Sequence, residues 1–69
     1  MKWTDAEDIG VALCDTHRGI DPLTVRFTDL RARVIALETF DDLPEASNEP
    51  RLEAIQMAWH EEWKERQRG

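Results

Sequence analysis

Phe40-Asp41-Asp42-Leu43-Pro44-Glu45-Ala46-Ser47-Asn48-Glu49 is the stretch on which the reading of this chain turns. Pro44 removes a backbone donor and biases Leu43 away from helical angles, so the chain must break here. Ser47 or Asn48 can then accept a hydrogen bond from an unpaired N–H of a new helix. Glu45 and Glu49 fall where a helix N-terminus favours negative charge. The stretch therefore predicts a rigid, capped corner between two helices. A turn has no evident need for the pair Asp41-Asp42, because adjacent carboxylates repel, and this marks the corner as a candidate contact for a partner or a cation.

Upstream of the corner, Thr4-Asp5-Ala6-Glu7 has the form of a capping box, with Glu7 placed to reach back to Thr4. Ala6, Ile9 and Leu13 recur at helical spacing and predict a buried stripe. Cys14 is placed opposite that stripe. Trp3, just before the cap, is placed to close over the helix start as a hydrophobic staple. Asp5, Asp8 and Asp15 fall on a neighbouring face. The first helix should fade by His17-Arg18-Gly19, where Gly19 permits a left-handed cap. Asp21-Pro22 then starts a turn, and Thr24-Val25-Arg26-Phe27 alternates as a short extended piece. Thr28 is the expected cap of a second helix with Asp29 at its first position. Leu30, Val34 and Leu37 form the apolar face of that helix, Ile35 lies off it, and Asp29 and Arg33 have the spacing of an i,i+4 pair.

Downstream, a third helix is expected from about Asn48 towards Arg66, with Pro50 tolerated in its first turn. Leu52, Ile55, Trp59 and Trp63 define one face. Lys64-Glu65-Arg66-Gln67-Arg68-Gly69 is charged all round and is expected to fray. The fold class that follows is mostly α: a small three-helix, winged-helix-like domain with a short extended segment between helices 1 and 2. The chain reads as a single domain over residues 1–69, with an ordered core at about 3–63 and a charged tail at 64–69.

Composition narrows the function. A chain of 69 residues buries only about 60% of its unfolded surface, leaving little room for a deep catalytic cleft. Fifteen acidic against nine basic residues give a net charge of −6, which repels nucleic acid and anionic membrane and favours a basic protein partner or a cation. No apolar run approaches the roughly 20 residues of a membrane span, and Met1-Lys2-Trp3-Thr4-Asp5 has no apolar signal core. With a single cysteine, a reducing cytoplasm is the expected compartment.

Catalytic readings are poor. Cys14 and His17 are three apart on one helix, but a nucleophilic thiol also needs an orienting group and a pocket. Three scattered glycines make no phosphate loop. Cys14, His17 and His60 fall short of the four ligands of a structural zinc site, and one thiol cannot host an iron–sulfur cluster in a monomer. Carboxylates are plentiful and suit hard divalent ions and Fe²⁺, though only as an exposed, weak site. A helix-turn-helix reading would make Thr28 to Thr39 the recognition helix, but Arg31 and Arg33 there are offset by Asp29 and Glu38 in an acidic domain.

The order of motifs is specific. Trp3-Thr4-Asp5, Ile9-Gly10, Ala12-Leu13, Asp21-Pro22, Thr24-Val25-Arg26-Phe27-Thr28-Asp29-Leu30, Phe40-Asp41-Asp42, Pro44, Ser47-Asn48-Glu49, Leu52-Glu53-Ala54-Ile55 and Trp59 together resemble the IscX family. These are small acidic proteins of the bacterial ISC iron–sulfur assembly machinery. The resemblance implies a winged-helix-like fold, binding to the cysteine desulfurase of the pathway, and weak Fe²⁺ binding with no tightly held cofactor. It implies a non-enzymatic adaptor or regulator or, alternatively, an iron donor; the residues taken without the resemblance leave an unrelated small acidic protein-interaction module as a further alternative. The expected partner face comprises Asp5, Asp8, Asp15, Asp29, Arg33, Asp41 and Asp42, and the expected weak Fe²⁺ ligands are Asp8, Asp29, Asp41 and Asp42. A monomer without nucleic-acid or membrane partners is expected. Leu43 stands where the family commonly carries a further acid, Pro50 where it is commonly basic, and the tail after Trp59 is longer and more basic. These departures weaken the iron reading more than the adaptor reading.

Overall fold

In the computed structural model, which describes residues 1–68, three helices follow one another: α1 (Ala6–Thr16), α2 (Phe27–Ile35) and α3 (Glu49–Arg68). Single 3₁₀ turns at Pro22–Thr24 and Pro44–Ala46 punctuate the two connections, and no strand occurs among the described residues.

α1 starts later than the capping box suggests. Its N-cap position is Asp5, whose side chain makes no cap hydrogen bond, because that carboxylate instead accepts the Lys2 N–H at 2.9 Å. The helix ends at Thr16, and Gly19 follows with φ of 84°, a left-handed conformation that costs glycine nothing. α2, by contrast, begins early, at Phe27 rather than after a Thr28 cap, with Arg26 at its N-cap. The corner before α3 forms as the sequence indicates. Asn48 is the capping side chain, accepting the Arg51 N–H at 2.9 Å, while Ser47 takes the Arg31 Nε–H at 3.1 Å.

Between α1 and α2 the alternating segment is less extended than its pattern suggests. Asp21 accepts the Leu23 N–H and winds Pro22–Thr24 into a 3₁₀ turn, leaving extended backbone at Val25 and Arg26. Gln56 of α3 clamps this linker by donating to the carbonyls of Pro22 at 3.0 Å and Val25 at 3.2 Å.

The core is Trp3, Ile9, Leu13, Cys14, Val25, Leu30, Val34, Leu37, Leu52, Ile55 and Trp59. Each large apolar side chain withdrawn from water contributes about 1.5–3 kcal/mol. The stripes read from spacing lie in this core, apart from Ala6 and Trp63, which are half-buried against it. One placement changes: Cys14 belongs to the core rather than the opposite face. Ile35, off the α2 stripe, is half-buried against the core. Gly10 explains how α1 and α3 come together. A Cβ there would sit 2.8 Å from the backbone of Ala58 and Trp59, a distance no side chain tolerates, so the helices cross at van der Waals contact only because this residue has none.

The tail is helical through Arg68 rather than frayed. Arg66 ties it down, reaching Asp15 of α1 at 2.8 Å and Glu62 at 3.0 Å. Gly69, the last residue of the expected tail, lies outside the described residues.

Candidate functional site

The acidic residues singled out from the sequence occupy three places. The first is a knot between the N-terminal segment and the α2–α3 corner. The Met1 amino group donates to the Thr39 carbonyl and pairs with Asp41 Oδ1 at 2.9 Å. Lys2 Nζ donates to the Asp41 carbonyl at 2.8 Å. Asp42 accepts the Trp3 N–H through Oδ2 at 3.1 Å and the Leu43 N–H through Oδ1 at 2.7 Å. The Trp3 indole closes the knot, donating to the Leu43 carbonyl at 2.7 Å and meeting Phe40 edge-on at 4.8 Å between ring centroids. Trp3 is thus a core anchor, more than a staple. A turn alone has no need for Asp41-Asp42, but the knot does. Both carboxyls are held below the usual carboxylate range, Asp41 by the Met1 amino group and Lys2, and Asp42 by the N–H donors of Trp3 and Leu43. Asp5 sits beside the knot, bonded to Lys2.

The second place is an open groove between α1 and α2 that brings together Asp15, His17, Asp29, Arg33 and Glu38. The expected i,i+4 pair of Asp29 and Arg33 does not form among the described residues. Arg33 turns inward instead and donates through Nη1 to His17 Nδ1 at 2.9 Å, which requires the imidazole to present a lone pair there. Burial, reinforced by the Arg33 charge, pushes His17 below its ordinary range. With Arg33 drawn in and Asp15 paired to Arg66, Asp29 and Glu38 are the acids of the groove left without an ion-pair partner among the described residues. His17 and Glu38 join this face although neither has a sequence spacing that marks it. Their shared groove depends on the α1–α2 approach, which no spacing rule reports. Asp8 is the third place, exposed on the first turn of α1 in a shallow depression with Thr4, Asp5 and Glu7.

The proposed Fe²⁺ set of Asp8, Asp29, Asp41 and Asp42 is therefore spread over three sites. Among the described residues no three His, Cys, Asp or Glu side chains are grouped to hold a metal ion. The residues present do not fit a resident metal centre.

The arginines of α2 are engaged inward. Arg31 donates to Ser47 and to the Pro44 carbonyl at 3.0 Å, so the basic side chains a DNA-reading helix would project are spent on holding the corner and His17. Cys14 is buried, and desolvation pushes its thiol up despite the nearby Arg66; the thiolate needed for nucleophilic or ligand chemistry is disfavoured. No helix among the described residues is long and apolar enough to cross a membrane.

Comparison with known proteins returns a match to the family model described as iron-sulphur cluster assembly over residues 1–64. The chain is also similar to an uncharacterized protein of Pseudomonas aeruginosa, 47% identical over 62 residues, which are 90% of this chain and 94% of that protein.

Proposed function

Since the chain belongs to the IscX family of iron–sulphur cluster assembly proteins, we propose that it acts there as an acidic adaptor docking onto a basic groove of the pathway's cysteine desulfurase. The observation that carries this reading is the α1–α2 groove. Asp15, Asp29 and Glu38 share it, and its one arginine is drawn back onto His17. A surface of this kind steers a basic partner into contact and rejects acidic ones. The net charge of −6 supplies the long-range part of that attraction. Asp8, exposed on α1, extends the face; Asp41 and Asp42 contribute field from the knot while staying tied to it.

An iron-donor role is the alternative. It calls for ligands that converge on one ion, and the scattered carboxylates favour the adaptor. Any Fe²⁺ they take is cargo held weakly.

The test is association kinetics of Asp8→Lys with Asp29→Lys against the purified desulfurase. Among the described residues neither side chain has an ion-pair or hydrogen-bond partner, so the variant should fold. Association should slow by about tenfold at low ionic strength and by much less at physiological salt, where charges are screened beyond about 8 Å. Equal association rates at low salt would remove this face from the interface.

A further inference from the structure

The other flank of α1 carries a second surface of different character. Val11 and Met57 are 40% and 48% exposed, and they share a groove between α1 and α3 rimmed by Glu7, Glu61, Glu62 and Glu65. Single exposed apolar residues are ordinary, and Leu23 and Leu43 on this protein are of that kind. Two in one groove, enclosed by like charges, are not explained by folding. Ala58 also lines the groove and is the residue against which Gly10 packs, so the close helix crossing leaves a small side chain there with larger apolar ones beside it.

Among the described residues, no lysine, arginine or histidine lines the groove. Three of its glutamates pair, among the described residues, along their own helix: Glu61 with Lys64 at 3.2 Å, Glu62 with Arg66 at 3.0 Å and Glu65 with Arg68 at 3.8 Å. Such surface pairs are weak and screened by salt, so an incoming cation can take their place. Glu7 has no ion-pair or hydrogen-bond partner among the described residues.

We propose that the α1–α3 groove is a docking site for a basic amphipathic helix of a partner protein. An apolar side chain of that helix seats between Val11 and Met57, and its lysines or arginines meet the glutamate rim. The apolar floor gives a helix in a groove its anchor, and the unbranched, polarizable Met57 adapts to the side chain it receives. The rim selects the charge of the occupant: an anionic lipid surface or a nucleic acid would face four carboxylates. This reading does not depend on desulfurase docking, which uses Asp29 and Glu38 on the opposite flank of α1. Having both gives α1 two interfaces, as a protein that links two partners requires.

The probe is a synthetic amphipathic helix of leucine and lysine, titrated into the ¹⁵N-labelled full chain at low and physiological salt. Amide shifts should concentrate at Val11, Met57, Ala58 and Glu61, with Asp29 and Glu38 little affected. Met57→Lys should weaken binding about tenfold or more, Glu61→Gln with Glu65→Gln severalfold at low salt, and Leu23→Lys not at all. All three variants change exposed residues, and matching thermal melts verify that they fold. The proposal is overturned if shifts centre on the α1–α2 groove, if they spread evenly over the acidic surface, if a peptide with glutamine in place of leucine binds equally well, or if Met57→Lys binds unchanged.

Discussion

Asp42 accepts the backbone N–H of Trp3 at 3.1 Å across 39 residues of sequence. With its other oxygen on the Leu43 N–H, this carboxylate satisfies two backbone donors at once and fastens the chain start to the corner that launches α3. An ionised acceptor makes stronger hydrogen bonds than a neutral one, which is why an acid is useful here at all.

That arrangement predicts an acid-sensitive fold. The folded-state pKa values of Asp41 and Asp42 lie below the unfolded value of 3.8, so their stabilisation is fully present above that value and is lost as pH falls through the folded values. Thermal melts between about pH 5 and about pH 2 should show a falling melting temperature in the native chain. In Asp41→Asn with Asp42→Asn the fall should be shallower, starting from a lower plateau. Identical profiles for the two proteins would show that the knot contributes nothing.

Gly10 offers a test of the helix crossing. Gly10→Ala places a methyl 2.8 Å from backbone atoms of Ala58 and Trp59, which cannot retreat as a flexible side chain could. The expected cost is about 1–3 kcal/mol, as for overpacking elsewhere, despite the better helix propensity of alanine. Gly19→Asn should be milder, because the space around Gly19 is open and asparagine is enriched among residues that adopt the left-handed region. Urea melts of the two variants should rank them in that order.

His17 gives a second pH dependence, of different origin. Its folded pKa is lowered from 6.5 by burial and by Arg33, so at mildly acidic pH the unfolded chain binds the extra proton more readily. Stability contributed by the neutral ring is complete above 6.5 and is lost as pH falls through the folded value. Melts from about pH 8 to about pH 5 should reveal this slope. It should flatten in His17→Gln, which cannot titrate but retains a carbonyl to accept from Arg33. An unchanged slope in that variant would assign the dependence to another group.

The sequence yielded the helices and their buried faces because each rests on local spacing. Leu30 with Val34 and Leu52, Ile55 and Trp59 needed only a period of 3.6. The Asn48 cap and the left-handed Gly19 were equally local. The Thr4 cap failed locally: α1 begins at Ala6 with Asp5 at its N-cap position, so Thr4 lies one residue outside. Other departures came from distant partners, and Asp29 did not pair with Arg33 because that side chain reached His17 across the groove. Arg66 kept the charged tail helical by reaching Asp15, a contact no window on α3 alone contains. The acids of the candidate face were legible as a set. Their division among the knot, the groove and the first turn of α1 was not, since it depends on how α1 and the corner meet in space.

Iron binding tests that division directly. A carboxylate site gains affinity when several oxygens converge on one ion, whereas Asp8, Asp29 and the pair Asp41-Asp42 sit on separate parts of the surface, with no metal-holding group of three among the described residues. Fe²⁺ titrated anaerobically should therefore bind weakly and broaden amide signals around several acids in parallel, without one saturating first. Physiological salt should remove most of the effect, as screening does for exposed charges. Asp41→Asn with Asp42→Asn should abolish broadening near the corner only, leaving that near Asp29 intact. Tight, one-to-one binding by calorimetry at physiological salt, lost in the same double variant, would instead establish the corner as an iron site and favour the donor reading over the adaptor.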